Sequence, residues 1–288
     1  MKLTSPSAVR ELLWEHGIRP NKELGQHFLC DEHVLNKAIA AARLSRRDLV
    51  IEPGAGLGTL TLEIAARAGR VIAVELDAKL VSILNANAAA SRLANVEVIH
   101  QDFLRLDLAG LIAAQGARQA KIMGNLPYGI TSLVLEELMA ERERLALAVL
   151  MVQEELAEKL IAPPGPRASA LGIRLRSIAE VKLLAKVPRT VFLPRPEVDS
   201  AIIKLTFLNQ PRFNANEEVF SKAVWAAFNL RRKTIRQALI RSPHPLLPRE
   251  AAAAALQEAG IDPRRRGESL SVEEFGRLAQ AIEQAQDS

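Results

Sequence analysis

The 288 residues are 49% hydrophobic and 25% charged, a balance that supports a folded core and excludes a disordered, fibrous or disulfide-stapled chain. A single cysteine, Cys30, rules out an intrachain disulfide, and with no basic-then-apolar leader in view the expectation is a reducing cytoplasm. The longest strongly apolar run, 145–152, is far short of the ~20 residues a membrane span needs, and 38 Lys+Arg against 33 Asp+Glu leave a net charge of +5, which suits a polyanionic partner without demanding one.

Residues 49–52 read as a buried strand running into Pro53-Gly54-Ala55-Gly56-Leu57-Gly58-Thr59, and a helical pattern follows over 60–67. Glycines there let a ligand approach backbone N–H groups at a helix start. Residues 71–74 form the next strand and end at Glu75, 21 residues past Gly54, where a carboxylate can accept both hydroxyls of an adenosine ribose. NAD enzymes and S-adenosylmethionine (SAM) enzymes share that pairing. The dinucleotide fingerprint needs G-x-G-x-x-G, whereas Gly54, Gly56 and Gly58 give G-x-G-x-G. SAM has no pyrophosphate to seat on the helix, so the looser loop favours it; the plain alternative is a tight strand-to-helix turn.

A third strand over 96–100 ends at Gln101-Asp102-Phe103. Ligands of open parallel sheets bind at this edge, so Asp102 can accept from an adenine amine with Phe103 as an apolar wall, or it merely caps its loop. The fourth strand, 121–124, ends at Asn125-Leu126-Pro127-Tyr128. Adenine N6 is a poor nucleophile because its lone pair is delocalised into the ring, and nothing in this tetrapeptide is a strong base. Orientation is what the tetrapeptide can supply: the Asn125 carboxamide oxygen and the Leu126 carbonyl each accept one N6–H. Pro127 biases Leu126 to an extended backbone, and Tyr128, the only tyrosine, offers a face for the base. Residues 145–152, 181–187 and 201–207 supply three more strands, the last two as an antiparallel edge.

Between 219 and 249 there are seven basic residues, Lys222, Arg231, Arg232, Lys233, Arg236, Arg241 and Arg249, and no Asp or Glu. Apolar spacing over 223–240 predicts one amphipathic helix with the cations along a side of it. This is a candidate phosphate-binding surface, carried by Lys222, Arg231, Arg232, Lys233 and Arg236, or else a solvated helix face. Arg264, Arg265 and Arg266 read as a loop with one charge neutralised, and Ser271 with Glu274 three residues on marks a helix start.

On these residues the chain resembles the ribosomal RNA adenine N6,N6-dimethyltransferases of the KsgA type over nearly its whole length. Leu24-Gly25-Gln26-His27-Phe28-Leu29 resembles the family's N-terminal segment that closes over SAM, and the glycine loop and Glu75-Leu76-Asp77 resemble its next cofactor motifs. Asn125 to Tyr128 matches its N-L-P-Y site. Residues 192–200, Phe-Leu-Pro-Arg-Pro-Glu-Val-Asp-Ser, are similar to its F-x-P-x-P-x-V-D-S block, and residues 228–239 to the start of its helical C-terminal domain.

The resemblance implies an α/β class I SAM-dependent methyltransferase fold, Rossmann-like, with a mostly parallel seven-stranded sheet and a small helical C-terminal domain. The expected domains are 1–209, catalytic and SAM-binding with a cofactor-closing segment at about 1–30, and 210–288, contributing to rRNA binding. It assigns SAM binding to His27, Leu29, Gly54, Gly56, Glu75, Asp102, Phe103 and Asn125, catalysis to Asn125, Leu126, Pro127 and Tyr128, and to Phe192 a place facing the target base opposite Tyr128. The implied reaction is dimethylation of two adjacent adenosines in a hairpin near the 3′ end of 16S rRNA, on an immature 30S subunit, by a monomer without a metal. His27 and Gly129 stand where relatives commonly have Asn, and residues 170–174 depart from a usual Tyr-Gly-x-Leu-Ser. The rival readings are an Erm-type 23S rRNA methyltransferase, a DNA adenine methyltransferase, a non-catalytic RNA-binding assembly factor and an NAD oxidoreductase.

Overall fold

A computed structural model of the chain describes residues 3–21, 25–243 and 247–286; Leu24, the first residue of the N-terminal block, lies outside them. Among the described residues the strands are β1 (Phe28–Leu29), β2 (Leu49–Pro53), β3 (Arg70–Glu75), β4 (Val96–His100), β5 (Ala120–Asn125), β6 (Leu145–Gln153), β7 (Ala179–Val187), β8 (Phe192–Leu193) and β9 (Ser200–Phe207). Seven make one sheet in the order β4-β3-β2-β5-β6-β9-β7, while β1 and β8 pair antiparallel in a separate ribbon. All seven expected strands are present, with ends shifted by no more than two residues. Pairing is parallel from β4 through β6, and β9 runs antiparallel to β6.

Strands buried on both faces carry near-continuous apolar runs, as β2, β3 and β6 do here. The edge strand β4 alternates Val96-Glu97-Val98 and is only partly buried. From β2 the chain winds outward to β3 and β4, and from β5 it winds the other way to β6. The loops after β2 and β5 therefore flank the point where strand order reverses, which is where open α/β sheets form their crevice.

The chain forms two compact units, one from Met1–Ala157 and Lys182–Phe207, the other from Glu158–Val181 and Leu208–Ser288. The expected division at 209/210 lies beside the last crossing, and residues 158–181, expected in the first domain, group with the second unit. That unit is helical: Ala170–Ile178, Glu217–Asn229, Ile235–Arg241, Arg249–Glu258 and Val272–Gln286 enclose a core that includes Phe220, Val224, Leu239, Leu256, Phe275 and Ile282. Ser271 and Glu274 cap the last helix reciprocally, Ser271 Oγ accepting from Glu274 N at 3.2 Å and Glu274 Oε2 from Ser271 N at 2.8 Å.

The single helix expected over 223–240 is two. The first ends at Asn229, and Thr234 turns extended, bridges to Arg266 and caps the second by accepting from Gln237 N. Ile235 N donates to Arg265 O at 2.7 Å, so tertiary contacts with a distant loop replace the helical bonds that apolar spacing alone predicts. Arg231, Arg232 and Lys233 consequently sit on a turn rather than along a helix side. Nor is the stretch free of acids in space: Arg231 bonds Glu268 and the carbonyls of Pro166 and Ala168, and Lys222 pairs with Glu218. The Arg264–Arg266 loop has all three charges paired, with Asp262, Glu274 and Glu268 respectively, not one. No helix among the described residues is long and apolar enough to cross a membrane.

Candidate active site

One cavity opens at the ends of β2, β3, β4 and β5, and all eight expected cofactor residues line it: His27, Leu29, Gly54, Gly56, Glu75, Asp102, Phe103 and Asn125. Gly54, Gly56 and Gly58 all have positive φ, a backbone region that side chains with a Cβ rarely adopt. A Cβ on Gly56 would lie 3.3 Å from the Phe28 ring, and one on Gly58 2.4 Å from Leu84 Cδ1. The third glycine is thus favoured first by its φ of +89° and then by Leu84 of helix Ala78–Ala90, packed against the loop.

Glu75 is buried at the end of β3. Its Oε2 accepts from Gly56 N at 2.7 Å, and its Oε1 from Leu76 N at 2.9 Å and Asp77 N at 3.0 Å. Burial raises its pKa against the pull of those N–H bonds, with Asp77 adding to the rise. A carboxylate offers about four lone-pair sites, so three are filled. With the three N–H donors already on it, one lone-pair site of Glu75 stands open toward the cavity. Asp102 caps its loop, Oδ1 accepting from Leu104 N at 3.0 Å, and it also lines the cavity.

The N-terminal segment is tied across the cavity. Asn125 Nδ2 donates to His27 O at 2.8 Å, Gln26 Nε2 to Asp77 Oδ2 at 3.0 Å, and His27 Nδ1 to Pro194 O at 2.8 Å. The Asn125 bond has a chemical consequence, because it engages the amide's donor end and leaves Oδ1 as an acceptor. Leu126 N donates to Met151 O at 3.1 Å, and Thr131 Oγ1 donates to Pro127 O at 3.1 Å, so the turn is held on both sides.

Half-buried Tyr128 bonds Ser200 Oγ through its hydroxyl at 2.8 Å. Burial holds the phenol above its ordinary pKa, with Asp199 adding to the effect. Ser200, fully buried at the start of β9, thereby links the 192–200 block to the tetrapeptide, a contact with no signal in the spacing. Phe192 is different. It was expected to face a base opposite Tyr128, but it is 4% exposed and belongs to the core cluster of Leu29, Val187 and Ile202. Its strand pairs with β1, which turns the ring inward. Phe192→Ala is therefore expected to cost about 3 to 5 kcal/mol of stability, read as a lowered denaturation midpoint; unchanged stability would show that the ring is not part of the core.

Glu52, at the end of β2, went unremarked among the apolar strand residues. It is 2% exposed and lines the cavity. Its Oε2 and the neighbouring Thr61 Oγ1 close no hydrogen bond of good geometry within the described protein, although Thr61 is near enough to pull the Glu52 pKa down in part. Burial first, and then the charge of Glu75, push its pKa up from 4.5 to about 8. The folded state therefore binds the proton that the unfolded state releases. Stability from this group is fully present below about pH 4.5 and is lost as pH rises through about 8, a change on the order of several kcal/mol. Glu52→Gln should flatten that decline between about pH 4.5 and 8 in denaturant melts taken across the range; an identical slope in the variant would remove Glu52 as its source.

The arrangement fits SAM: acceptors at Glu75 and Asp102, an apolar wall at Phe103, and a glycine cradle that side chains would fill. Cys30, the only thiol, is buried, and burial pushes its pKa up to about 11.

Comparison with known proteins agrees. A family model described as "Ribosomal RNA adenine dimethylase" matches residues 17–284. Ribosomal RNA small subunit methyltransferase A of Pelotomaculum thermopropionicum is 44% identical over 97% of both chains, and that of Geobacillus thermodenitrificans 39% identical over 97% of both. Among solved structures, a dimethyladenosine transferase from Plasmodium falciparum shares the fold at TM-score 0.79 and 24% identity, covering 90% of this chain and 98% of that one. The 23S rRNA methyltransferase ErmE superposes at TM-score 0.70 with 28% identity, covering 89% and 99%. With the family match spanning the cavity and the helical unit alike, the chain belongs to the ribosomal RNA adenine dimethylase family.

Proposed function

We propose that this chain transfers methyl groups from SAM to N6 of two adjacent adenosines in a hairpin near the 3′ end of 16S rRNA, two per base, on a partly assembled 30S subunit. It acts in the cytoplasm as a monomer and needs no metal. The observation that carries this reading is the Asn125 carboxamide, oriented by His27 O so that its oxygen is left as an acceptor at the cavity wall.

When bound, SAM supplies an electrophilic methyl on its sulfonium. Asn125 Oδ1 and the Leu126 carbonyl each accept an N6–H, which turns the nitrogen lone pair toward that methyl and makes a poor nucleophile adequate by orientation. Pro127, extended at φ −56° and ψ 132°, leads into the tight turn that starts at Tyr128, and the Tyr128 ring stacks the base while Ser200 pins its hydroxyl. Stacking of this kind is worth about 1 to 3 kcal/mol per base, which helps offset the cost of drawing the base out of its loop. The amine needs no base before transfer, since its proton becomes acidic only once the new N–C bond has formed. After the first transfer one N6–H remains, and one of the two acceptors still orients it while the other side admits the methyl.

Arg232, Lys233 and Arg236 are exposed and serve as phosphate contacts in the helical unit, together with Lys222. Arg231 contributes mainly to holding its turn against Glu268. The relatives named small-subunit methyltransferases are 38–44% identical to the chain, against 28% for ErmE, which favours 16S over 23S rRNA. The test is to offer labelled SAM with unmethylated small subunits, large subunits and free rRNA, then locate the label by nuclease digestion and mass spectrometry. N6,N6-dimethyladenosine in small-subunit rRNA is expected. Label confined to large-subunit rRNA would favour the Erm reading, monomethyladenosine as the end product would defeat the two-transfer scheme, and no label would leave an assembly factor.

A further inference from the structure

Trp225 lies on helix Glu217–Asn229, whose buried face is made by Phe220, Ala223, Val224, Ala226 and Ala227. Trp225 points the other way and is 48% exposed. Single exposed apolar side chains are ordinary on protein surfaces, but this one is held in a cationic setting. The Arg174 guanidinium sits 5.9 Å from the indole centroid, within cation–π range, and its Nε donates to Ser221 Oγ at 3.4 Å, one turn back on the Trp225 helix. Lys222 precedes Trp225 by three residues, on the same helix face. Arg174 lies on the helix Ala170–Ile178.

A half-open indole with an arginine over its ring, in a unit that also carries exposed cations, is the pairing by which proteins hold single-stranded nucleic acid: the aromatic and guanidinium planes stack a base, and the cations attract the strand. We propose that Trp225, with Arg174 beside it, is a stacking platform for an unpaired base of the RNA substrate, separate from the methyl-transfer cavity. The charge complementarity favours RNA as occupant: Glu218 and Glu268 hold Lys222 and Arg231, but Arg232, Lys233 and Arg236 of the same unit stand exposed to solvent. The platform rests on the rRNA reading of the chain's function, and it holds substrate without touching the reacting atoms.

The experiment uses the full chain carrying Trp14→Phe, which leaves Trp225 as the only indole. Unmethylated small-subunit rRNA is expected to quench Trp225 emission saturably, whereas inorganic polyphosphate, which has charge but no bases, should not. In the otherwise wild-type chain, Trp225→Ala should raise KM for unmethylated small subunits roughly five- to hundredfold with kcat within about twofold, Trp225→Phe should recover most of the loss, and Arg174→Gln should fall between. A matching thermal melt for Trp225→Ala separates this from misfolding. Equal quenching by polyphosphate, no quenching by rRNA, or an unchanged KM in a folded Trp225→Ala chain would each overturn the platform. If the wild-type chain moves no methyl while rRNA still quenches Trp225, the catalytic reading fails and the platform stands.

Discussion

Asn125→Ala is expected to slow single-turnover methyl transfer by about a hundred- to a thousandfold while RNA affinity changes less than about twofold. The magnitude is that of removing one oriented hydrogen-bond partner from a site whose catalysis depends on preorganisation. Two losses combine. The N6 acceptor disappears, and so does the donor that ties β5 to the N-terminal segment through His27 O, which leaves the segment held by Gln26–Asp77, His27–Pro194 and the β1–β8 ribbon. RNA affinity should hold because phosphate contacts, which carry most of such binding, lie elsewhere. Rapid-quench kinetics with saturating enzyme, paired with filter binding of unmethylated rRNA, would separate the two. A large binding defect with a normal transfer rate would move Asn125 out of the orienting role.

Glu75→Ala should have the largest effect on SAM binding and a visible one on the fold. The three N–H groups of Gly56, Leu76 and Asp77 lose their acceptor together, at about 1 to 3 kcal/mol for each that stays buried and unpaired. The ribose loses a charged hydrogen bond worth about 1.5 to 3 kcal/mol, or roughly ten- to hundredfold in Kd. Glu75→Gln should be milder, because its amide oxygen can still serve either Gly56 or the Leu76 and Asp77 pair, though its NH2 then faces donors. Calorimetric titration of SAM beside a thermal melt reads both quantities. Unchanged SAM affinity in a folded Glu75→Ala chain would take this residue out of the ribose subsite.

Much of the site was legible because its elements announce themselves locally. A glycine loop needs positive φ at its glycines wherever it occurs, and β2, β3, β4 and β5 each end on a chemically distinctive residue. Once these strands lie side by side, the topology gathers the strand ends into one cavity. What stayed hidden were pairings between distant residues. Ser200 under the Tyr128 hydroxyl, Gln26 on Asp77, and a Glu52 oxygen buried without a partner beside Thr61 and Glu75 leave no periodic trace. The split of the 223–240 helix was missed for the same reason, as Thr234 is drawn out by a bridge to Arg266.

By itself, then, the amino-acid sequence determined the succession and approximate ends of the sheet strands, the G-x-G-x-G turn and the polar residues Glu75, Asp102 and Asn125 at the strand ends, since these follow from side-chain period, glycine stereochemistry and the chemistry at each strand terminus, while His27 and Leu29 came with the family resemblance. Tertiary structure alone decided how many lone pairs Glu75 has left, that Phe192 faces the core, and which cations of the basic stretch are held by acids. Those outcomes depend on which groups far apart in the chain come within hydrogen-bonding distance and how much water they lose on the way, and neither quantity is written in local spacing.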